Sequence, residues 1–255
     1  MTLSVQRFLR VRVALALPCM LAIVLALRGP AFAGPPFATD DPVPTDFRNW
    51  EIYTGVDDAN GRDGTSARLP FAEFNYGLMP NVQVSAAFPL SYERSAPGSS
   101  YRYGPTEFGI KTRFAAESAN APQIAFYPSV EIPNGGGPAR TFLPLWLQKS
   151  SGKWTVFGGA GVYVNSGAGR WNGTFTGVAV TRDVSAAAAL GVEVFHSSPE
   201  GPASPASTGF NAGLISAIGE DHAVLFSVGR SVDDGNSLTA YAAYEFKFGP
   251  VHARR

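Results

Sequence analysis

The chain has 255 residues, with 20 lysines and arginines balanced by 20 aspartates and glutamates. Charged residues make up only 16% of the sequence, whereas ordinary soluble domains carry about 25%. The lack of a basic excess argues against a nucleic-acid-binding protein, and the single cysteine, Cys19, excludes a disulfide framework. No apolar run after residue 33 approaches the ~20 residues that a spanning helix needs, which argues against a helical membrane protein.

Residues 1–33 have the pattern of a cleaved signal peptide. Three arginines within the first twelve residues precede an apolar core at residues 13–27, and Ala31-Phe32-Ala33 is a small-residue cleavage site. An uncleaved anchor is the alternative, but the apolar run is too short to span a bilayer. A lipoprotein site at Cys19 is disfavoured because Pro18 occupies the place of the small residue expected before it. Cleavage at the predicted site removes four arginines and leaves 16 basic against 20 acidic residues, a net charge of −4.

The rest of the chain is predicted to be all-β and to form an antiparallel transmembrane β-barrel. Residues 34–47 are rich in proline and aspartate, and we expect an irregular segment on the periplasmic side. From residue 48 to 249, apolar and polar residues alternate with a period of two, which indicates strands rather than helices. About twelve strands agree with the even number found in single-chain outer-membrane barrels. The predicted strands lie at residues 50–56, 69–78, 82–92, 107–114, 123–132, 143–148, 155–165, 174–181, 187–196, 209–218, 223–230 and 238–248.

The connectors between these strands alternate in length. Outer-membrane barrels have short periplasmic turns and longer external loops, so the pattern predicts that both termini face the periplasm, with residues 250–255 as a C-terminal tail. The short connectors lie at residues 79–81, 150–152, 182–184 and 219–221, and the longer ones at 57–66, 93–105, 133–141, 165–173, 197–208 and 231–237. Aromatic residues near the strand ends are predicted to form two girdles at the membrane surfaces.

A soluble periplasmic β-sandwich or lipocalin-like barrel is the main alternative fold, because its strands would also alternate. Its outward faces, however, should carry charged residues at about 25–35% of positions. The less apolar faces here consist mostly of glycine, alanine, serine, threonine and asparagine, which favours a barrel in the bacterial outer membrane. The pattern leaves open which faces of the strands at 174–181 and 223–230 point outward.

Strand parity predicts which residues point into the barrel, since Lys or Arg on the lipid face would cost up to about 2–4 kcal/mol. The charges among them could line a solute path or brace the wall as ion pairs. Twelve strands lie between a filled and an aqueous interior, so we expect Gly159 and Gly161 to leave the room that keeps a pore open. The predicted lumen-lining residues are Glu73, Glu107, Lys111, Arg113, Glu131, Trp146, Gln148, Gly159, Gly161, Tyr163, Glu193, Glu245 and Lys247.

The sequence predicts no catalytic residue, no metal site and no cofactor. The glycine-rich stretch 158–161 lies within a predicted strand and has no helix after it, so it does not match a phosphate-binding loop. An EF-hand that started at Asp58 would place Arg62 and Leu69 at ligand positions, which excludes it. His196-Ser197 lies near a predicted barrel rim, as in an outer-membrane phospholipase, but no orienting acid or oxyanion hole accompanies it.

Several stretches resemble the outer-membrane "transporter" barrel proteins named for the meta-pathway of phenol degradation. The most specific is Leu143-Pro144-Leu145-Trp146-Leu147-Gln148-Lys149, and the others lie at residues 39–42, 75–78, 80–83, 104–111, 128–133, 193–196 and 209–211. The resemblance covers nearly the whole chain after residue 33, and it implies a barrel that passes small molecules. One departure is that Phe248 is followed by seven more residues, whereas barrels of this kind usually end on an aromatic residue.

Together these patterns predict an outer-membrane pore or transporter of a Gram-negative bacterium for small solutes, with aromatic or weakly polar compounds as leading candidates. A structural or adhesive barrel with a plugged lumen is the alternative. The expected partners are outer-membrane lipid, the solute and the barrel-assembly machinery, with no nucleic acid. The sequence leaves open the oligomeric state and whether residues 34–47 enter the barrel.

Overall fold

The structure, a computed structural model, describes residues 36–61, 64–95, 98–202, 204–233 and 237–250. The predicted signal peptide and almost all of the predicted tail lie outside these ranges. Every regular element in the described residues is a strand. No helix among them is long and apolar enough to cross a membrane.

The strands follow the predicted alternation along the chain. They are β1 (Trp50–Gly61), β2 (Gly64–Met79), β3 (Val82–Ser95), β4 (Gly98–Tyr103), β5 (Thr106–Ala115), β6 (Gln123–Phe126), β7 (Ser129–Ile132), β8 (Arg140–Ser151), β9 (Trp154–Asn165), β10 (Gly173–Asp183), β11 (Ala188–Ser197), β12 (Ser207–Ala217), β13 (His222–Ser231) and β14 (Leu238–Phe248).

These strands form one antiparallel sheet that closes on itself, because β1 pairs with both β2 and β14. Two barrel strands are interrupted. β4 and β5 both pair with β3, and β6 and β7 both lie between β5 and β8. The interruptions fall at Gly104-Pro105 and Tyr127-Pro128, where proline has no N–H to donate to the ladder. Counted with these interruptions, the barrel has twelve strands, which confirms the predicted fold class.

Two connectors that were predicted to be long loops are instead the ends of strand hairpins. β1 and β2 remain paired as far as Gly61 and Gly64, and β3 and β4 as far as Ser95 and Gly98. The sequence prediction at 57–66 and 93–105 was therefore wrong. The polar residues there extend the strands through cross-strand ion pairs, Arg68 with Asp57 at 2.7 Å and Arg102 with Glu93 at 2.8 Å.

The outer surface of the barrel is apolar, and the alternation along β11 shows it. Leu190, Val192 and Val194 point outward and are 51%, 58% and 56% exposed, whereas Glu193 between them points inward and is 2% exposed. Such a continuous apolar exterior suits the hydrocarbon of a bilayer, and a closed ladder leaves no backbone group unpaired there. The fold and its exterior are those of a membrane-spanning barrel of the bacterial outer membrane.

The two strands whose facing the sequence left open obey the same rule. In β10, Phe175, Ala179 and Thr181 are buried inside the barrel, and in β13, Leu225 and Ser227 are. Thr176 and Val178 of β10 and Phe226 of β13, which alternate with them, point outward.

Candidate functional site

An irregular N-terminal segment, residues 36–49, precedes β1, and most of it runs inside the barrel. The backbone N–H of Ala38 donates to Glu193 Oε1 at 2.8 Å and that of Thr39 to Glu193 Oε2 at 3.0 Å. Further along, the backbone N–H of Thr45 donates to Gln83 Oε1 at 2.8 Å. Because the segment has no ladder of its own, its backbone donors take side-chain acceptors from the wall. Residues 34–47 were predicted to be an irregular segment on the periplasmic side, and whether they enter the barrel was left open. In the structure, residues 37–45 lie in the lumen.

Buried charges also hold the segment. Lys111 Nζ on β5 lies 3.0 Å from Asp40 and 3.9 Å from Asp41, and it stacks over the ring of Tyr127 at 4.9 Å. Lys111 is almost completely buried. A charge in such a position requires ionic partners or hydrogen bonds, and the N-terminal segment supplies them.

A second charged cluster joins the first and last strands. Lys247 Nζ on β14 lies 3.0 Å from Glu51 on β1 and 3.1 Å from Glu245. The hydroxyl of Tyr53 donates to Glu245 Oε1 at 2.6 Å. These contacts bridge the seam at which the barrel closes, and they correspond to the bracing interpretation of the charged residues.

Two cavities lie in the polar half of the lumen. The outer cavity, nearer the long loops, has a volume of about 550 Å³, and the inner cavity has a volume of about 240 Å³. They share five lining residues, so they adjoin one another, and the common wall is here called the constriction. These residues are Phe37 from the N-terminal segment and Arg68, Ala87, Glu107 and Tyr241 from the wall.

Carboxylates predominate on the walls of both cavities. Besides the shared Glu107, the outer cavity is lined by Asp57, Asp58, Glu93 and Glu131. The inner cavity is lined by Glu51 and Glu73, together with the two aspartates that pair with Lys111. Each cavity also has tyrosine rings and uncharged polar groups in its wall. A lining of this kind attracts cations and can contact a ring as well as water.

The other half of the lumen is filled with aromatic side chains. The ring centroids of Phe142 and Trp146 on β8 lie 6.2 Å and 6.1 Å from that of Phe175 on β10. Phe175 also stacks on Phe195 of β11 at 6.1 Å, and Phe157 of β9 meets Phe37 at 6.2 Å. The two cavities therefore lie mainly against β1, β2, β3, β5 and β14, and β7, β11, β12 and β13 each add one residue to the wall of the outer cavity.

The structure separates the residues that were predicted to line a common pore. Glu73 and Lys111 line the inner cavity, Glu107 lines both cavities, and Glu131 lines the outer one. The other charged residues on that list are engaged elsewhere. Arg113 hydrogen-bonds to Asn81 and Gln123, Glu193 to the N-terminal segment, and Glu245 and Lys247 to each other. Trp146 belongs to the aromatic half, and Gln148 lines neither cavity.

The two glycines that were expected to keep the lumen open lie under aromatic rings. A Cβ at Gly159 would overlap the carbonyl oxygen of Leu145 and lie 2.7 Å from the Trp146 ring. A Cβ at Gly161 would lie 2.5 Å from the Phe142 ring. The expectation that these glycines leave room for a solute was therefore wrong, because rings of the neighbouring strand β8 occupy that room.

At the end of the barrel that carries the long loops, Glu200 connects its own loop to β8 and β9. This contact was not predicted from the sequence. Arg140 of β8 donates to Glu200 through Nε at 2.8 Å and lies over the Tyr163 ring at 3.6 Å, and Asn165 of β9 donates to the same carboxylate at 2.8 Å. Partial burial alone would raise the pKa of Glu200, but the hydrogen bonds from Arg140 and Asn165 outweigh it and lower that pKa. An acidic residue in a Pro- and Ser-rich loop was the only sequence signal for this clamp.

Comparisons with known proteins bear on the fold. No family profile matches the chain. No curated protein matches it either. Many solved structures do match, and several of them are outer-membrane barrels. They include an outer-membrane channel from Pseudomonas putida F1, at 12% identity over 81% of this chain and 99% of that one, with a TM-score of 0.63.

Two further matches show the range of proteins that share the fold. The KdgM porin, solved with disordered oligogalacturonate, has 10% identity over 78% of this chain and 99% of that one, with a TM-score of 0.57. The translocator domain of the autotransporter NalP from Neisseria meningitidis has 9% identity over 79% and 89%, with a TM-score of 0.54. The chain has the fold of outer-membrane barrels. At these identities the likeness concerns architecture only.

Proposed function

We propose that the protein is a channel of the bacterial outer membrane through which small solutes pass. The observation that carries this proposal is the pair of adjoining cavities, which meet at the constriction around Arg68 and Glu107 inside a closed barrel. The solved barrels of similar fold include an outer-membrane channel and a porin, which favours the same role here. A chain of this role needs no catalytic residue, metal or cofactor.

The lining favours small aromatic or weakly polar solutes, with a preference for positive over negative charge. Tyrosine rings at positions 53, 127 and 241 and amides at Asn75 and Gln83 line the inner cavity beside its carboxylates. The sequence resemblance to the barrels named for the meta-pathway of phenol degradation supports the same class of solute. Within this proposal, Glu73, Glu107 and Glu131 are the carboxylates that a passing solute meets.

A structural or adhesive barrel is the second candidate function. The observation that favours it is the amount of the lumen already filled, by the N-terminal segment and by the aromatic half. Such a protein would be stable in the membrane and would conduct little.

A planar-bilayer recording of the folded chain tests the proposal, combined with liposome swelling in a panel of small solutes. We expect discrete conductance steps and faster swelling with small amines and phenols than with anions of similar size. A chain that folds, inserts and still passes neither ions nor any solute in the panel would establish the structural candidate instead.

A further inference from the structure

The ring of Phe37 occupies a slot whose floor is made of glycine. Gly191 on β11 and Gly213 on β12 are directly paired in the barrel ladder, and a Cβ at either would come within 2.8 Å of the Phe37 ring. The Phe157 ring forms a side wall, 6.2 Å away between centroids. Paired glycines with a neighbouring ring leave a flat apolar surface that fits an aromatic group and little else.

The polar end of the slot is Glu193, which lies two residues beyond Gly191 and on the same face of β11. Its carboxylate accepts the N–H groups of Ala38 and Thr39 and the side-chain amide of Asn211. None of the ion pairs in the described residues includes Glu193. A buried carboxylate held by neutral donors becomes costly when those donors leave, so Glu193 favours any replacement that brings an N–H or a cation.

The slot also adjoins the solute path. Phe37 and Ala38 line the outer cavity, and Phe37 lines the constriction as well. A solute that arrives in the outer cavity therefore lies beside the segment that fills the slot. Three carbon atoms separate the Phe37 ring from the Ala38 nitrogen, namely Cβ, Cα and the carbonyl carbon.

We propose that the slot formed by Gly191, Gly213 and Glu193 is a binding site for a primary amine that carries an aromatic ring. In the absence of that solute, Phe37–Thr39 occupy the site. This inference rests on the proposed channel function and names its solute class. The solute's ring takes the place of Phe37 and its ammonium group donates to Glu193. Binding then releases the N-terminal segment and widens the path.

The test follows the release of the segment with a single cysteine. The chain after residue 33 contains no cysteine, and Thr39→Cys places one where the side chain is fully buried and its hydroxyl has no hydrogen-bond partner among the described residues. The probe is 3-phenylpropylammonium, in which three carbons separate ring and nitrogen. We expect it to raise the rate of maleimide labelling at position 39 by about tenfold or more, since it competes with the docked segment.

Matched controls separate the ring, the charge and the site. Propylammonium has the charge without the ring, and 3-phenylpropan-1-ol has the ring without the charge. Both should accelerate labelling much less. Phe47 belongs to the same segment but is exposed, at the end of the barrel that carries the short turns. The Phe47→Cys variant should therefore be labelled at the same rate with and without the probe. In Thr39→Cys with Glu193→Gln, the advantage of the amine over the alcohol should disappear.

Several results would overturn the inference. One is labelling of the Thr39→Cys variant at the same rate with and without the aromatic amine, and another is equal acceleration by propylammonium. A third is labelling of Thr39→Cys as fast as Phe47→Cys before any probe is added. Bilayer conductance is recorded separately, so amine-dependent release without conductance counts against the channel, whereas conductance without release counts against this site alone.

Discussion

Replacing Lys247 with methionine should cost the barrel a large part of its stability. The change keeps the length of the side chain and removes the charge that lies between Glu51 and Glu245. Lys247 is 9% exposed at its side chain and Glu245 only 1%, so the two carboxylates are left facing each other with little water. Removal of one partner from a buried ion pair typically costs about 3–5 kcal/mol. We expect about 3 kcal/mol, because Tyr53 still donates to Glu245 and Glu51 reaches some solvent.

The assay is reversible urea unfolding of the folded barrel in lipid or detergent, followed by tryptophan fluorescence and by the gel shift between unboiled and boiled samples. Lys149→Met is the matched control, because Lys149 also pairs with a glutamate, Glu117, at 3.4 Å, but its side chain is 41% exposed. Exposed pairs are worth at most about 1 kcal/mol. If the Lys247 and Lys149 variants lose the same small amount of unfolding free energy, the seam cluster does not brace the barrel. A Lys247→Met, Glu245→Gln double variant should recover part of the loss.

Three further outcomes are expected. Gly159→Leu should prevent folding rather than narrow the pore, seen as loss of the heat-dependent gel shift. Gly98→Leu should fold normally, because no atom of the described residues lies within 4 Å of the added Cβ. Glu200→Gln should flatten the pH dependence of thermal stability. Because the pKa of Glu200 is lowered in the folded protein, its ionised carboxylate stabilises the fold fully above the ordinary glutamate pKa of about 4.3. That stabilisation is lost as the pH falls through the pKa that Glu200 has in the folded protein. Replacing Glu73 and Glu107 by glutamine should shift the reversal potential in a salt gradient away from cation preference; an unchanged potential would show that ions do not pass these residues.

The alternating pattern was sufficient to predict the barrel and the facing of most strands. Glu193 and Trp146 each lie between apolar residues that point outward, and this local alternation predicts that both point inward. Both are buried inside the barrel. The paired ends of the β1–β2 and β3–β4 hairpins were not predicted, because the polar residues near Asp57 and Glu93 have the composition of a loop. Their pairing depends on cross-strand partners, which a linear pattern does not contain.

The candidate site was less predictable, because the contacts that form it are distant in sequence. Ala38 and Glu193 are 155 positions apart, and a segment rich in proline and aspartate gives no period that would place it on a wall. The glycines illustrate the same limit. From the sequence, Gly159 and Gly161 were expected to leave open space, but rings from β8 cover them. Gly191 and Gly213 are covered by the ring of Phe37, which lies outside the sheet.

The pairing of β1 with β14 makes synthesis of β14 a condition for membrane insertion. Eleven residue pairs, from Trp50 with Phe248 to Asn60 with Leu238, form this ladder, and β14 is synthesised after β1–β13. Until β14 exists, β1 and β13 each present a row of free N–H and C=O groups, which hydrocarbon does not tolerate. Lys247 reaches Glu51 only when those rows meet, so the ion cluster forms at the last step of closure. A chain that stops short of β14 would therefore remain outside the bilayer, exposed to periplasmic proteases.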